Sequence, residues 1–324
     1  AAGAGRATIG VLAPPLGTCM KLPDSIGVEA FDALHDDIPR WQDLIASIAG
    51  QYSSAPVRPM EEGTVLVALV GTDLVVKLYP PFLRDHFEFE RAALGRLHGQ
   101  LSVPTPRLVA NGERDGWPYT VMTQLAGQPL IGVWPELTEA QKCGLLAVLG
   151  RLAAEVHALP VAGMAALAPE WGAFVAGQRA RCLHRQQRTG LPAHLLPLVE
   201  DFVAGELPAG PAVILTGEYT PMNLLHGAWA PGGLAGMFDF GDGLVGPREY
   251  DWLGPLCFLA AGQPARLQAF FGGYGATPGR AERLALLRLL LLHRYSCLRA
   301  QIACPGWERA ESFEALAELI WPTD

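Results

Sequence analysis

The chain has 324 residues, half of them hydrophobic and 17% charged, a composition that excludes wholesale disorder and leaves room for one large domain or two ordinary ones. Lys and Arg number 24 against 32 Asp and Glu, a formal net charge of −8. Such an acidic surface repels nucleic acid and anionic lipid, so neither nucleic acid nor a membrane is expected as a partner.

In chain order, the first half reads mostly as strand and the second mostly as helix. Residues 7–12 form a short apolar run closed by Pro14 and Pro15, consistent with a leading strand. Residues 39–49 carry Trp41, Leu44, Ile45 and Ile48 at helical spacing, with Asp37 as the expected cap. The runs 64–70 and 73–79, joined by Gly71 and Thr72, read as a hairpin. Residues 86–97 are helical, with Phe89, Ala93, Leu94 and Leu97 on the apolar side, and Pro104 and Pro106 mark the exit. Two further strands, 107–110 and 118–124, flank a turn at 113–116. The Gly- and Pro-rich stretch 127–135 has no period and marks a boundary between a smaller lobe, 1–126, and a larger one, 127–324. Helices follow at 138–158 with Thr138 as cap, then at 171–188 and 193–204. Short β-like runs come next at 213–216, 223–226 and 236–240. Two helices close the chain, 279–302 and 310–321.

The six cysteines are scattered with no CxxC pair, which argues against a zinc ribbon or a dense disulfide framework. They are expected to be mostly small buried side chains, with Cys19 the most exposed. The longest apolar run, 284–292, is interrupted by Arg288 and falls well short of the roughly 20 residues a bilayer span needs. The expectation is a soluble cytoplasmic protein, monomer or homodimer.

The chemistry concentrates between residues 215 and 252. Glu218 and Asn223 stand five apart on a loop leaving a strand, and Asp239 follows a second apolar run and precedes Phe240 and Gly241. Two carboxylates and a carboxamide at loop positions suit Mg²⁺, which takes oxygen ligands and usually keeps waters and substrate phosphates. One carboxylate can hold the metal while another faces a substrate hydroxyl, the division that phosphoryl transfer needs. The first half supplies a cation. Lys77 lies inside the apolar run 74–79 and must find an anion to offset its desolvation: a phosphate, or Glu90 thirteen residues later on the next helix.

With these residues in place the chain resembles the aminoglycoside phosphotransferase family. The family's catalytic loop, H-G-D with Asn five residues after the Asp, corresponds to Thr216, Gly217 and Glu218 with Asn223. Its metal-binding Asp matches Asp239, and its G-x-R-x-x-D element matches Gly246, Arg248 and Asp251. Its strand lysine matches Lys77, its helix glutamate matches Glu90 with Leu97 following, and Val103-Pro104-Thr105-Pro106-Arg107 fits the segment after that helix. The strand from Tyr119 to Gln124 resembles the one leading to the adenine hinge, which implies Met122 at its gate and Thr123 to Leu125 along it. The strand around Lys77, the region of Trp41 and the segment 319–322 resemble hygromycin B phosphotransferases in particular.

The resemblance implies an α+β, bilobal protein-kinase-like fold, with a small antiparallel-sheet N-lobe that binds nucleotide and a larger helical C-lobe for catalysis and substrate. It implies transfer of the γ-phosphoryl of ATP or GTP, with Mg²⁺, to a hydroxyl of a small cationic acceptor, an aminoglycoside of the hygromycin B kind, and hence antibiotic resistance. Lys77 with Glu90, and the hinge residues Met122, Thr123 and Leu125, are then the nucleotide contacts. Asn223 and Asp239 are the metal ligands and Glu218 the catalytic base. Asp242, Glu249 and Trp321 are candidates for the substrate side, and Glu308, Glu311 and Glu314 face either a cationic substrate or solvent. Arg248 and Asp251 read as an ion pair or a loop anchor, and His157 and His226 as structural.

Two departures from the family pattern matter. Glu218 stands where the family has Asp and Thr216 where it has His. Glu carries its carboxylate about 1.5 Å further, one C–C bond, and a misplacement of about 1 Å can cost on the order of 100-fold in rate. The glycine-rich loop is also reduced to Gly63, beside Glu61 and Glu62, which are expected to face solvent. Kinase activity on another small metabolite, or nucleotide binding without catalysis, stays open beside the main reading.

Overall fold

The computed structural model describes residues 21–167, 169–217 and 219–322. The strand expected at 7–12, Cys19 and Glu218 lie outside the described residues.

Helix α1 (Val28–Asp36) was not anticipated, because only Phe31 and Leu34 of its nine residues are buried. α2 (Ile38–Ala49) follows at once and buries Trp41, Leu44, Ile45, Ile48 and Ala49, the side the 3.6-residue period assigns. Asp37 occupies the cap position, but its side chain makes no capping hydrogen bond. Pro39 lies in the first turn, where the missing N–H has no partner to lose.

Beside these helices stands a five-stranded antiparallel sheet built from β1 (Val57–Pro59), β2 (Leu66–Val70), β3 (Leu74–Leu78), β4 (Leu108–Arg114) and β5 (Trp117–Thr123), ordered β1-β2-β3-β5-β4. The two-residue period divides β3. Val76 and Leu78 join Leu66, Ala68, Val70 and Val121 in one apolar cluster with Trp41, Leu44 and Ile45. Val75 and Lys77 therefore face the other way, and β5 places Met122 and Thr120 directly opposite them. That second face is covered by α3 (Arg84–Leu97), which buries Phe87, Phe89, Glu90, Ala93, Leu94 and Leu97.

The aperiodic stretch at 127–135 is not a bare linker. It holds β6 (Gln128–Pro129) and one helical turn, α4 (Leu130–Val133). α5 (Glu139–His157) opens with a reciprocal capping box: the Thr138 hydroxyl accepts from the Gln141 N–H, and the Gln141 carboxamide accepts from the Thr138 N–H. α6 (Trp171–Arg188) matches its sequence span, whereas the helix expected at 193–204 contracts to α7 (Val199–Ala204) after a 3₁₀ turn that carries Pro197.

Two small sheets sit between these helices. β7 (Ala212–Leu215) pairs with β10 (Leu244–Pro247), and β8 (Leu224–His226) pairs with both β6 and β9 (Leu234–Met237). Next come α8 (Glu249–Phe258) and α9 (Pro264–Tyr274). α9 lies so close on α5 that a Cβ at Gly150 would come 2.1 Å from the Phe270 carbonyl, a contact only glycine permits. The long helix expected at 279–302 is broken: α10 (Arg280–Leu292) ends at His293, and α11 (Leu298–Gln301) restarts after a bend. α12 (Phe313–Ile320) closes the described chain. The main apolar cluster runs through α5, α8, α9, α10 and α12 and reaches Phe89, Leu94, Leu97 and Met122. The architecture is the bilobal, protein-kinase-like α+β fold, a small antiparallel-sheet lobe on a larger helical one.

Among the described residues no disulfide forms. Cys182, Cys257 and Cys304 are buried, and Cys143 and Cys297 are half-buried. No helix among them is long and apolar enough to cross a membrane.

Candidate active site

Lys77 gathers the site. From the α3 side of β3 its Nζ lies 2.8 and 3.1 Å from the two carboxylate oxygens of Glu90 and 2.8 Å from Oδ1 of Asp239, which is 162 residues away in the chain. Lys77 is 6% exposed and Glu90 fully buried. Burial alone would lower the Lys77 ammonium, but the Asp239 and Glu90 carboxylates outweigh it and hold its pKa well above the ordinary lysine value. Burial would likewise raise the Asp239 carboxyl, and Lys77 reverses that and lowers it. Both groups are charged at neutral pH.

Glu90 is held from three sides. Besides Lys77 it accepts from the Tyr79 hydroxyl and, at 3.3 Å, from the Phe240 backbone N–H. Tyr79 lies two residues beyond Lys77 and shares its side of the strand, and its hydroxyl also lies 3.3 Å from that of Thr120. Burial and the neighbouring Glu90 carboxylate push the Tyr79 phenol well up, so it stays a neutral donor.

Asp239 follows β9 with φ 68°, a left-handed conformation that few residues besides glycine adopt readily. Asn223 precedes β8, and the Phe238 N–H donates to the Asn223 carbonyl at 3.1 Å, which ties the two positions together. Asp239 and Asn223 open into one cleft of about 670 Å³, together with Gly63, Thr64, Gly217 and Asp242. A carboxylate and a carboxamide on one cleft wall, tied strand to strand, are hard-oxygen donors that fit Mg²⁺ with phosphates completing its shell.

Thr216 and Gly217 are fixed by Asp251. Its Oδ2 accepts from the Thr216 N–H at 3.0 Å and its Oδ1 from the Gly217 N–H at 2.8 Å, while His157 Nε2 lies 3.1 Å from Oδ2. Asp251 is thus a loop anchor, held by a buried structural histidine that also meets the Tyr274 hydroxyl at 2.9 Å. It does not pair with Arg248, whose guanidinium lies over the Trp252 and Tyr274 rings and donates to Glu249 at 3.3 Å. Gly217 has φ 75°, and a Cβ there would come 2.8 Å from the Asp242 carbonyl. Across the loop His293 stacks on Tyr250 at 4.9 Å. Burial, then Arg294 and Arg185, lower its pKa to about 3 against a hydrogen bond with Gly217, so its ring is neutral at physiological pH.

Asp242 is already partnered. It accepts from Arg294 Nη1 and from the Tyr295 hydroxyl, each at 2.8 Å, with His86 Nδ1 at 3.4 Å. Burial would lower the Arg294 guanidinium, and the Asp242 carboxylate more than offsets this.

The structure therefore brings Lys77, Glu90 and Asp239 into contact and adds Asn223 and Asp242 on the same cleft. Met122 faces the same side of the sheet as Lys77. The Thr123 hydroxyl accepts from the Arg107 N–H at 2.9 Å, and Leu125 packs on Gly236 of β9. Two substrate-side residues are not brought to the cleft. Glu249 opens α8, is 9% exposed and turns to Arg248. Trp321 is 1% exposed, because its ring fills the helical core and its Nε1 donates to the Leu256 carbonyl at 3.2 Å; it borders a separate cavity of about 240 Å³. Glu308, Glu311 and Glu314 do not line the cleft either, and Glu314 instead borders a small groove with Arg280 and Arg283. Sequence reasoning missed Tyr79, Thr120, His86, His293, Arg294 and Tyr295. Tyr79 was findable, since its spacing from Lys77 places both on one side of the strand; the others meet the site only through tertiary packing.

The sequence pattern of APH, the phosphotransferase enzyme family, matches residues 58–286. No curated protein matches the chain. Among solved structures, the ternary complex of APH(2")-IIa with streptomycin and ATP is similar with a TM-score of 0.59 at 18% identity, over 76% of this chain and 89% of that one. The macrolide 2'-phosphotransferase MphH from Brachybacterium faecium gives 0.56 at 19% identity, over 88% and 99%. The aminoglycoside phosphotransferase APH(3'')-Id from Streptomyces rimosus, in complex with ADP and streptomycin, gives 0.56 at 16% identity, over 78% and 98%. The kinase-like fold, the Lys77–Glu90–Asp239 cluster and the family match over most of the chain agree: this protein belongs to the phosphotransferase enzyme family.

Proposed function

We infer that the protein transfers the γ-phosphoryl of ATP or GTP to a hydroxyl of a small-molecule acceptor. The observation that carries this is the contact of Lys77 Nζ with both Glu90 and Asp239 at 2.8 Å, across the two lobes and beside Asn223. In this reading residues 1–126 bind the nucleotide, with Met122, Thr123 and Leu125 along the base, and residues 127–324 supply catalysis and the acceptor site. Lys77, oriented by Glu90 and Tyr79, holds the α- and β-phosphates. Asp239 and Asn223 hold Mg²⁺, which neutralises charge on the β- and γ-phosphates.

Glu218 orients the acceptor hydroxyl and takes its proton. The bond from that oxygen to the γ-phosphorus forms as the bond to the β-phosphate oxygen breaks, and the nucleoside diphosphate leaves. Asp251 holds Thr216 and Gly217, and so the start of the loop that carries Glu218. The resemblance read from sequence makes the acceptor a cationic aminoglycoside of the hygromycin B kind.

Phosphorylated product measured across an acceptor panel tests the reading. Glu218→Ala should abolish transfer while nucleotide affinity stays within about twofold, as expected for a residue acting only on the acceptor. Unchanged turnover would remove Glu218 from the mechanism. Glu218→Asp reads the loop: a gain means the longer side chain is poorly placed, and a large loss means the backbone is built for Glu. Nucleotide binding with no product on any acceptor would favour a non-catalytic, nucleotide-binding role instead.

A further inference from the structure

Arg294 carries a nearly buried charge that the proposed transfer does not use. It stands at the bend where α10 ends, one residue past His293, and only 15% of its side chain is exposed. Its guanidinium lies 5.5 Å from the centre of the Phe174 ring, and its Nη1 donates to Asp242 Oδ1 at 2.8 Å. A buried ion pair is poor evidence for stability, because desolvation of the two charges cancels most of their attraction. What such a pair can fix is geometry, and the surroundings of Asp242 show which geometry.

Asp242 lies in a tight turn directly after Asp239. The Gly243 N–H donates to the Phe240 carbonyl at 3.1 Å and closes that turn. The Gly241 N–H donates to the Asp239 carboxylate, so the turn itself sets the direction of that carboxylate. On one side the turn meets the small lobe through α3. Glu90 accepts from the Phe240 N–H at 3.3 Å, and His86, one helical turn before Glu90, has its Nδ1 3.4 Å from Asp242 Oδ1. His86 Nε2 lies 3.5 Å from Arg294 Nη1. A neutral imidazole with its proton on Nδ1 serves both neighbours, as donor to Asp242 and acceptor from Arg294. On the other side the Asp242 carbonyl abuts Gly217, where a Cβ would come 2.8 Å from it. Tyr295, beside Arg294 and on the wall of the cleft, donates its hydroxyl to the same Asp242 oxygen at 2.8 Å.

We propose that Arg294 is a positioning residue for phosphoryl transfer: by gripping Asp242 it sets the turn that aims the Asp239 carboxylate, and it ties that turn to α3 of the small lobe and to the bend after α10. The proposal rests on the phosphotransfer reading for the task of Asp239. Arg294 acts only through Asp242.

The test compares Arg294→Met, which keeps the length and loses the charge, with Arg294→Lys, which keeps the charge, each in the full chain. Hydrogen–deuterium exchange is read at the Phe240 and Gly243 amides, with the amides of α5 as the reference. Arg294→Met should speed exchange at the turn by at least about tenfold and leave α5 within about twofold of the native chain. Calorimetry then reads ATP affinity, which should fall by at least about tenfold with Mg²⁺ present and stay within about twofold in EDTA, the pattern of a lost support behind a metal ligand. Arg294→Lys should lie between Arg294→Met and the native chain on both readings. Tyr295→Phe, which removes a donor to the same oxygen from a side chain 45% exposed, should move both readings in the same direction by less. Exchange unchanged at the turn, exchange raised equally in α5, equal loss of ATP affinity with and without Mg²⁺, or identical behaviour of the Met and Lys variants would overturn the proposal. Product formation with Mg-ATP is read separately. No product on any acceptor from the native chain would sink the phosphotransfer reading, and exchange at the turn would still decide whether Arg294 holds it.

Discussion

At the phosphate end of the cleft, Lys77 reaches Glu90 and Asp239 at distances of 3.1 Å or less, with Tyr79 and the Phe240 N–H completing the set. At the other end, Leu253, Phe258 and Ala300 line the cleft beside Thr220, His293 and Gln301, and the carboxylate Asp242 is held by Arg294. The first end is closely packed and charged, with Lys77 and Glu90 buried and Asp239 part-exposed; at the second, Asp242 is already matched. The contrast teaches that the charged contacts described at both ends hold the cleft's own geometry.

The sharpest way to break the contrast is Lys77→Met, which leaves two carboxylates facing each other without a cation. Turnover should fall by at least about 100-fold, the scale of losing one preorganised charge, and stability by about 3 kcal/mol, the scale of breaking a buried pair. Chemical denaturation and a product assay read the two. The pH dependence should change as well. In the native chain Asp239 adds stability that is present above its ordinary 3.8 and lost as pH falls through its lowered value. Lys77 adds stability that is present below its ordinary 10.5 and lost as pH rises through its raised value. The cluster's contribution is therefore level from about pH 4 to 10. Without the lysine Asp239 loses the cation that lowers its carboxyl, so Lys77→Met should lose less stability than the native chain as pH falls below about 4. An acid limb as steep as the native one would mean that Lys77 does not hold Asp239 in its charged form.

A smaller effect, between the two ends, comes from Asp251→Asn. The change keeps shape but weakens the grip on the Thr216 and Gly217 N–H groups. Turnover should fall by about 10- to 100-fold through misplacement of the loop, with nucleotide affinity unchanged by titration. Equal loss of both would move Asp251 from loop anchor to a general structural role.

The smallest effect sharpens the phosphate end. Tyr79→Phe removes one of the donors to Glu90 and leaves Lys77 in place. A stability loss of about 1–2 kcal/mol is expected, with turnover reduced less than about tenfold. A loss as large as that of Lys77→Met would make Tyr79 the main holder of Glu90.

The parts read correctly from sequence are those where local pattern and local structure agree. The hairpin carrying Lys77, the helix carrying Glu90 and the capped helix after Thr138 all show their period, and each element buries the side that period assigns. α8 was missed because it is buried nearly all round, from Tyr250 to Cys257, and contains Pro255, so no amphipathic stripe and no clean helical signal exists. The break at His293 was missed for the opposite reason. No Gly or Pro marks it, and the chain bends where His293 stacks on Tyr250 and Arg294 reaches Asp242. Trp321 and Glu249 were drawn to the substrate side by position in the chain, and packing turned both inward.

By itself, then, the sequence determined many of the element types and singled out Lys77, Glu90, Asn223 and Asp239 as candidates, because period and spacing are properties of neighbouring residues. Only the tertiary structure decided which charges are matched. Lys77 meets Asp239 across 162 residues, and Arg294 meets Asp242 across 52, so these pairings follow from chain segments that no local pattern relates.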